Sequence, residues 1–114
     1  MSVLITGGAG FIGSHLVDHL LTETSQRIIV LDDFSTGSES NLAHIDTDRV
    51  ETITGDVRNA SLVADLVTQS DAVYHLAAAV GVKRIVDNPL GSMQTNLEGT
   101  ENVLEAAADD ATPT

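Results

Sequence analysis

The sequence contains no cysteine, and Lys83 is its single lysine. Without thiols the chain closes no disulfide and offers no thiolate metal site, which suits a reducing compartment. No apolar run approaches the roughly 20 residues that a membrane-crossing helix needs. The start of the chain also lacks the basic stretch and apolar core of a secretion signal. These absences lead to the expectation of a cytoplasmic protein with no membrane partner. Cations of either kind are scarce, with 5 Lys and Arg against 17 Asp and Glu and a formal net charge of -12. That balance argues against nucleic acid as a partner, because affinity for a phosphate backbone comes largely from Lys and Arg displacing counterions.

The acids are spread along the chain, among them Asp18, Glu23, Glu39, Asp46, Asp48, Glu51, Asp65, Glu98, Glu101, Glu105, Asp109 and Asp110, and form no acidic tail. Two readings remain. One is a surface adapted to high salt, where screening relieves the self-repulsion of a strongly charged compact state. The other is an ordinary acidic surface. The near-elimination of lysine favours the first.

At 114 residues the chain is about one domain long, and one domain is the expectation. Ser2-Val3-Leu4-Ile5-Thr6 is a short apolar run that ends in glycines and reads as a buried strand. From Phe11 to about Thr24, Phe11, Ile12, Leu16, Val17, Leu20 and Leu21 recur at the three-to-four spacing of one helix face. Arg27–Asp32 is a second strand, and Phe34-Ser35-Thr36-Gly37-Ser38 is the loop after it. A short helix is expected over Glu39–Ile45, a strand over Val50–Thr54, and a helix capped by Asn59 or Ser61 and carrying Leu62, Val63, Leu66 and Val67. A fourth strand spans Ala72–Ala77. After a small-residue loop and Pro89, a long helix runs from about Leu90 to Ala108, with Leu97, Val103 and Leu104 as burial candidates. Strands alternating with helices imply right-handed crossovers. The fold class is therefore α/β, a Rossmann-like doubly wound parallel sheet that stops after its fourth strand and the following helix.

Thr6-Gly7-Gly8-Ala9-Gly10-Phe11-Ile12-Gly13 falls between the first strand and the first helix, where a dinucleotide pyrophosphate binds in such sheets. Glycines there allow a tight turn and close approach of the backbone to phosphates, and the helix N-terminus adds free N–H donors and a favourable dipole. Strand, glycines, helix and a following acid all fall in order, so a merely flexible turn is the weaker reading. The acid is Asp32, at the end of the second strand and close to the spacing of about 20 residues expected of a ribose-binding carboxylate. With Asp33 beside it, it would repel the additional phosphate of NADP, so NAD is the expected cofactor.

These motifs resemble the extended short-chain dehydrogenases, in the epimerase and dehydratase branch that acts on nucleotide sugars, and the resemblance covers essentially the whole chain. Gly7, Gly10 and Gly13 match the glycine loop, and Phe11-Ile12-Gly13-Ser14-His15 reads like the UDP-glucose 4-epimerase group. Leu31-Asp32-Asp33-Phe34-Ser35-Thr36-Gly37 resembles the loop that wraps the adenosine ribose. Gly55-Asp56-Val57-Arg58 resembles the segment in which Asp56 and Val57 would hold the adenine. His75-Leu76-Ala77-Ala78 resembles the strand end that runs past the cofactor. Asn96 falls where the family has an Asn on the long helix that supports the site. Lys83 is a further contact candidate, if in register.

The resemblance implies the NAD-binding portion of a nucleotide-sugar epimerase or dehydratase, UDP-glucose 4-epimerase-like, with the substrate domain absent. The family's Tyr-x-x-x-Lys pair has no counterpart here: Tyr74 is followed four residues later by Ala78. In the family that Lys lowers the tyrosine pKa so that the phenolate can take a sugar hydroxyl proton while hydride leaves for the nicotinamide. No catalytic residue is therefore assigned, and the chain alone is expected to be inactive. A non-catalytic NAD-binding or regulatory module and a truncated gene product are the alternatives. An apolar edge at the fourth strand implies self-association or a missing C-terminal half.

Three clusters have two readings each. His15, Asp18 and His19 suggest a metal site but more simply form a solvated helix face, and no metal site is assigned. His75 is structural or catalytic. Leu90, Met93, Leu97 and Leu104 form a partner-binding stripe or bury against the chain's own sheet; the resemblance implies dimers that pack through this helix.

Overall fold

The computed structural model describes residues 1–45, 48–78 and 82–114, without the side chains of 82–84. Four strands, β1 (Ser2–Thr6), β2 (Arg27–Asp32), β3 (Val50–Thr54) and β4 (Ala72–His75), form one parallel sheet in the order β3-β2-β1-β4. Among the described residues four helices accompany them: α1 (Phe11–Glu23), α2 (Ala60–Thr68), α3 (Val82–Asp87) and α4 (Pro89–Asp110).

The strand sequences explain the layering. Successive side chains of a strand point to opposite faces, and β1 and β2 are apolar at both parities because both faces are covered. On one face Val3, Ile5, Ile28 and Val30 pack with Val17 and Leu20 of α1. On the other, Leu4, Ile29, Leu31 and Val73 pack with Val63, Leu66 and Val67 of α2 and Val103, Ala106 and Ala107 of α4. The sheet is doubly wound. Its strand order runs outward from β1 to β3 and then returns to the other side of β1 for β4. The loops after β1 and β4 therefore diverge, and they open a crevice at the carboxyl ends of the strands.

Local chemistry sets the element ends. Asn59 caps α2 by accepting the Leu62 amide at 3.2 Å, and Asn88 caps α4 by accepting the Gly91 amide at 3.1 Å, with Pro89 in the first turn where its missing N–H costs nothing. The C-terminus of α1 carries no basic residue of its own. Arg49, just ahead of β3, supplies the charge instead, donating to the carbonyls of Leu21, Thr24 and Gln26 at 3.1, 2.7 and 3.2 Å.

The structure departs from the sequence reading in four places. The expected helix over Glu39–Ile45 shrinks to a 3-10 turn at Glu39–Asn41, because this stretch docks onto the glycine loop: the Ser38 amide and Asn41 Nδ2 both donate to the Ala9 carbonyl. β4 ends at His75 rather than Ala77, since the Leu76 and Ala77 amides turn toward the Thr6 hydroxyl. Helix α3 was not foreseen. Leu97 and Leu104, expected to be buried, are 62% and 53% exposed, whereas Val103 is 0% exposed. The buried face of α4 is made instead of Ser92, Gly99, Val103, Ala106 and Ala107; small residues let the helix approach the body closely. Leu90 and Met93 are likewise exposed, so the stripe does not pack on the chain's own sheet. The outer edge of β4 is partly covered, because the Val73 amide donates to the Pro113 carbonyl at 2.8 Å.

Candidate functional site

The crevice at the switch point is a cleft of about 400 Å³. Its floor is the turn from β1 to α1. Gly7 sits at φ +76°, which L side chains rarely adopt, and a Cβ there would come within 2.8 Å of the Ala77 nitrogen. A Cβ on Gly13 would come within 2.2 Å of the Gly7 carbonyl oxygen. Glycine is required at both positions, at Gly7 for backbone freedom and space and at Gly13 for helix-to-turn contact. The N-terminus of α1 then opens into the cleft through Gly10, Phe11, Ile12 and Gly13, with no side-chain cap and no acid in the first turn. An uncapped helix start with this dipole suits an anion. Phe11 and Ile12 are 77% and 71% exposed at the mouth of the cleft.

The second wall comes from the end of β2. Asp32 is buried and binds both neighbouring loops: one carboxylate oxygen accepts the Ala9 amide at 2.9 Å and the other the Phe34 amide at 2.8 Å. This holds the β2 loop against the glycine loop and leaves carboxylate lone pairs for another donor. Phe34 pays with a left-handed φ of 59°. Asp33 is exposed and accepts the Ser35 amide at 2.9 Å. Ser35, Thr36 and Gly37 complete this side.

The remaining walls are Leu76, Ala77 and Ala78 beyond β4, and Gly55 and Val57 beyond β3. Val57 is fixed from behind by α4: Asn102 Nδ2 donates to its carbonyl at 3.0 Å, and a Cβ on Gly99 would lie 2.5 Å from its Cγ2.

Fourteen of the sixteen site residues named from sequence line this one cleft: Gly7, Gly10, Phe11, Ile12, Gly13, Asp32, Asp33, Ser35, Thr36, Gly37, Val57, Leu76, Ala77 and Ala78. Two do not. The Asp56 carboxylate is taken up by Arg58, whose Nε and Nη2 donate to it at 3.1 and 2.7 Å; that pairing raises the Arg58 pKa. Asn96 lies one residue past Thr95, which does line the cleft, and a step of one residue on a helix turns a side chain by about 100°. The side chain of Lys83 and residues 79–81 fall outside the described residues. Sequence reasoning missed Leu31, Gly55 and Thr95 as lining residues. Gly55 and Thr95 each adjoin a residue that was named, so the motif was located and its facing residue was not. Of the histidines and acid on α1, His15 Nδ1 donates to the Phe11 carbonyl at 2.6 Å and Asp18 pairs with His44 at 2.7 Å.

The family model described as GDP-mannose 4,6 dehydratase matches residues 4–113. The chain belongs to that family. It is 40% identical over 96% of its length to the low-salt glycan biosynthesis protein Agl12 of Haloferax volcanii, of which it covers 36%. Among solved structures it superposes on dTDP-glucose 4,6-dehydratase from Streptomyces venezuelae with NAD bound, at 38% identity and a TM-score of 0.91, covering 98% of this chain and 37% of that one. It also superposes on UDP-glucose 4-epimerase of Thermus thermophilus in complex with NAD, at 36% identity and a TM-score of 0.83, covering 98% and 35%. The chain thus spans about a third of the length of these relatives. It forms a nucleotide-sugar dehydratase- and epimerase-like Rossmann sheet, and among its described residues no helix is long and apolar enough to cross a membrane.

Proposed function

We propose that this chain is the NAD-binding portion of a nucleotide-sugar dehydratase or epimerase. The observation that carries the reading is the joint placement of an uncapped helix start, a glycine turn with no room for side chains and the buried Asp32 carboxylate around one cleft. The α1 N-terminus holds the pyrophosphate, and the glycine turn lets it approach the backbone closely. Asp32 accepts from the adenosine ribose hydroxyls, and with Asp33 it disfavours the phosphate of NADP. Val57 forms the apolar wall against the adenine, with Asp56 at its edge. Leu76, Ala77 and Ala78 flank the path toward the nicotinamide, and Asn96 supports the site from α4.

NAD supplies a hydride acceptor for the oxidation of a sugar carbon. In the whole protein that oxidation leads to 4-epimerisation of a UDP-sugar or to a related dehydration. The chain itself offers no Tyr-x-x-x-Lys pair, so it binds cofactor without turnover. Its acid-rich surface with a single lysine is that of a cytoplasmic protein from a salt-rich interior; the Haloferax relative supports this. The exposed stripe on α4 is where a second copy packs.

Thermal unfolding with and without NAD tests the first clause. At about 100 times the dissociation constant, ligand adds roughly 2.7 kcal/mol, which moves the midpoint of a domain this size by at least several degrees. An unchanged midpoint at millimolar NAD contradicts the assignment. Conversion of UDP-glucose or dTDP-glucose by the purified chain contradicts the claim that it lacks turnover.

A further inference from the structure

Beside the cleft, three side chains from three elements meet in a line that the cofactor reading does not use. Thr6 at the end of β1 is fully buried, with Oγ1 2.7 Å from Nδ1 of His75 at the end of β4. Nε2 of the same ring lies 3.1 Å from Oγ1 of Thr100 on α4. Thr6 Oγ1 also accepts the Ala77 amide at 3.1 Å and shares the Leu76 amide, at 3.1 Å, with its own carbonyl.

Donor and acceptor counting fixes the protons. A hydroxyl has two lone pairs and one hydrogen. Two amide hydrogens already point at Thr6 Oγ1, so its hydrogen goes to His75, and Nδ1 must be an acceptor. The ring then carries its proton on Nε2, where it donates to Thr100.

We propose that His75 is a positioning residue for the cofactor cleft: as the neutral ring protonated on Nε2, it takes the Thr6 hydroxyl hydrogen and so reserves the Thr6 oxygen for the amides that shape the cleft's β4 wall. Those amides belong to Leu76 and Ala77, which line the cleft and pack directly against Gly7. A doubly protonated ring would point Nδ1–H at an oxygen with no free lone pair and strand the Thr6 hydrogen. The wall would then loosen where Gly7 meets it.

The surroundings agree. Burial lowers the His75 pKa from its ordinary 6.5, with no charged group contributing. From β1 the ring meets Thr6 and from α4 it meets Thr100, both hydroxyls; the titratable neighbours along the chain are Tyr74 beside His75 and Glu101 beside Thr100. Because the folded pKa is depressed, the bridge is intact above pH 6.5 and is lost as pH falls through the lower folded value.

The inference rests on NAD occupying the cleft, and two measurements separate it from that reading. Ring-nitrogen NMR of the free chain in molar potassium chloride reports the tautomer without any cofactor. The expected spectrum shows His75 protonated on Nε2 and titrating below its ordinary 6.5; protonation on Nδ1 overturns the proposal. NADH titration at pH 8 and at a pH below the His75 midpoint read from the same NMR series reports the consequence. The wild-type chain should lose about tenfold in affinity at the lower pH, the scale of one net hydrogen bond. His75→Asn, whose Oδ1 can accept from Thr6 and cannot titrate, should keep the pH 8 affinity and lose the pH dependence. His75→Leu should bind about tenfold more weakly at both values. A His75→Asn chain with the wild-type pH dependence overturns the positioning role. A wild-type chain that fails to bind NADH at pH 8 overturns the cofactor reading instead, with the ring spectrum still deciding the tautomer.

Discussion

Asp32 accepts the Ala9 amide across 2.9 Å, so the carboxylate that faces the cleft from β2 also holds the glycine loop in place. Removing it therefore changes two things at once. Asp32→Ala should cost about 1–3 kcal/mol of stability by leaving buried amides without an acceptor, and should narrow the preference for NADH over NADPH by about tenfold or more. Asp33→Ala, whose side chain is exposed, should affect the preference with stability changed by less than about 0.5 kcal/mol. Denaturant unfolding and paired cofactor titrations separate the two effects.

Gly13→Ala places a Cβ 2.2 Å from the Gly7 carbonyl oxygen. Neither backbone can give way without opening the turn, so the variant should lose about 2–3 kcal/mol, in the range of overpacked cores, and NADH binding with it. Gly10→Ala, where the nearest atom is 3.4 Å away, should fold normally, which isolates any change it makes in phosphate binding.

Arg49 closes the C-terminus of α1 with three carbonyl contacts. Charged hydrogen bonds of this kind contribute more than neutral ones, and the helix end favours a cation. Arg49→Ala should lower stability by about 2 kcal/mol, and Arg49→Lys should recover only part of it because one ammonium cannot span three carbonyls. Thermal unfolding checks both.

The strands were readable in the sequence because β1 and β2 are continuous apolar runs bounded by glycine and acids, and their bounds in the structure are those read from the pattern. The cleft was readable for a related reason. Its floor consists of backbone that must approach backbone, and glycine is the residue that records such approaches. What the pattern could not give was orientation. Leu97 and Leu104 look like core by type, yet Gly99, Ala106 and Ala107 take the buried face; at Gly99 even a Cβ would come within 2.5 Å of Val57, which leaves no space for a leucine. Asp56 and Asn96 were located to within one residue of the cleft wall, but a side chain's direction on a loop or helix depends on tertiary partners such as Arg58.

The exposed α4 stripe gives a further expectation. Leu97→Glu and Leu104→Glu alter surface positions, so each should change monomer stability by less than about 0.5 kcal/mol while shifting sedimentation toward the monomer. A clean monomer for the unaltered chain at high concentration contradicts the packing of a second copy there.

The most direct measurement is a fluorescence titration of the purified chain with NADH and with NADPH, in molar potassium chloride and in dilute buffer. The expected result is saturable NADH binding that is tighter than NADPH binding and strongest in high salt, where screening offsets the self-repulsion of a net charge of -12. A folded chain that binds neither nucleotide in either buffer, or that prefers NADPH, contradicts the assignment of the cleft and of Asp32.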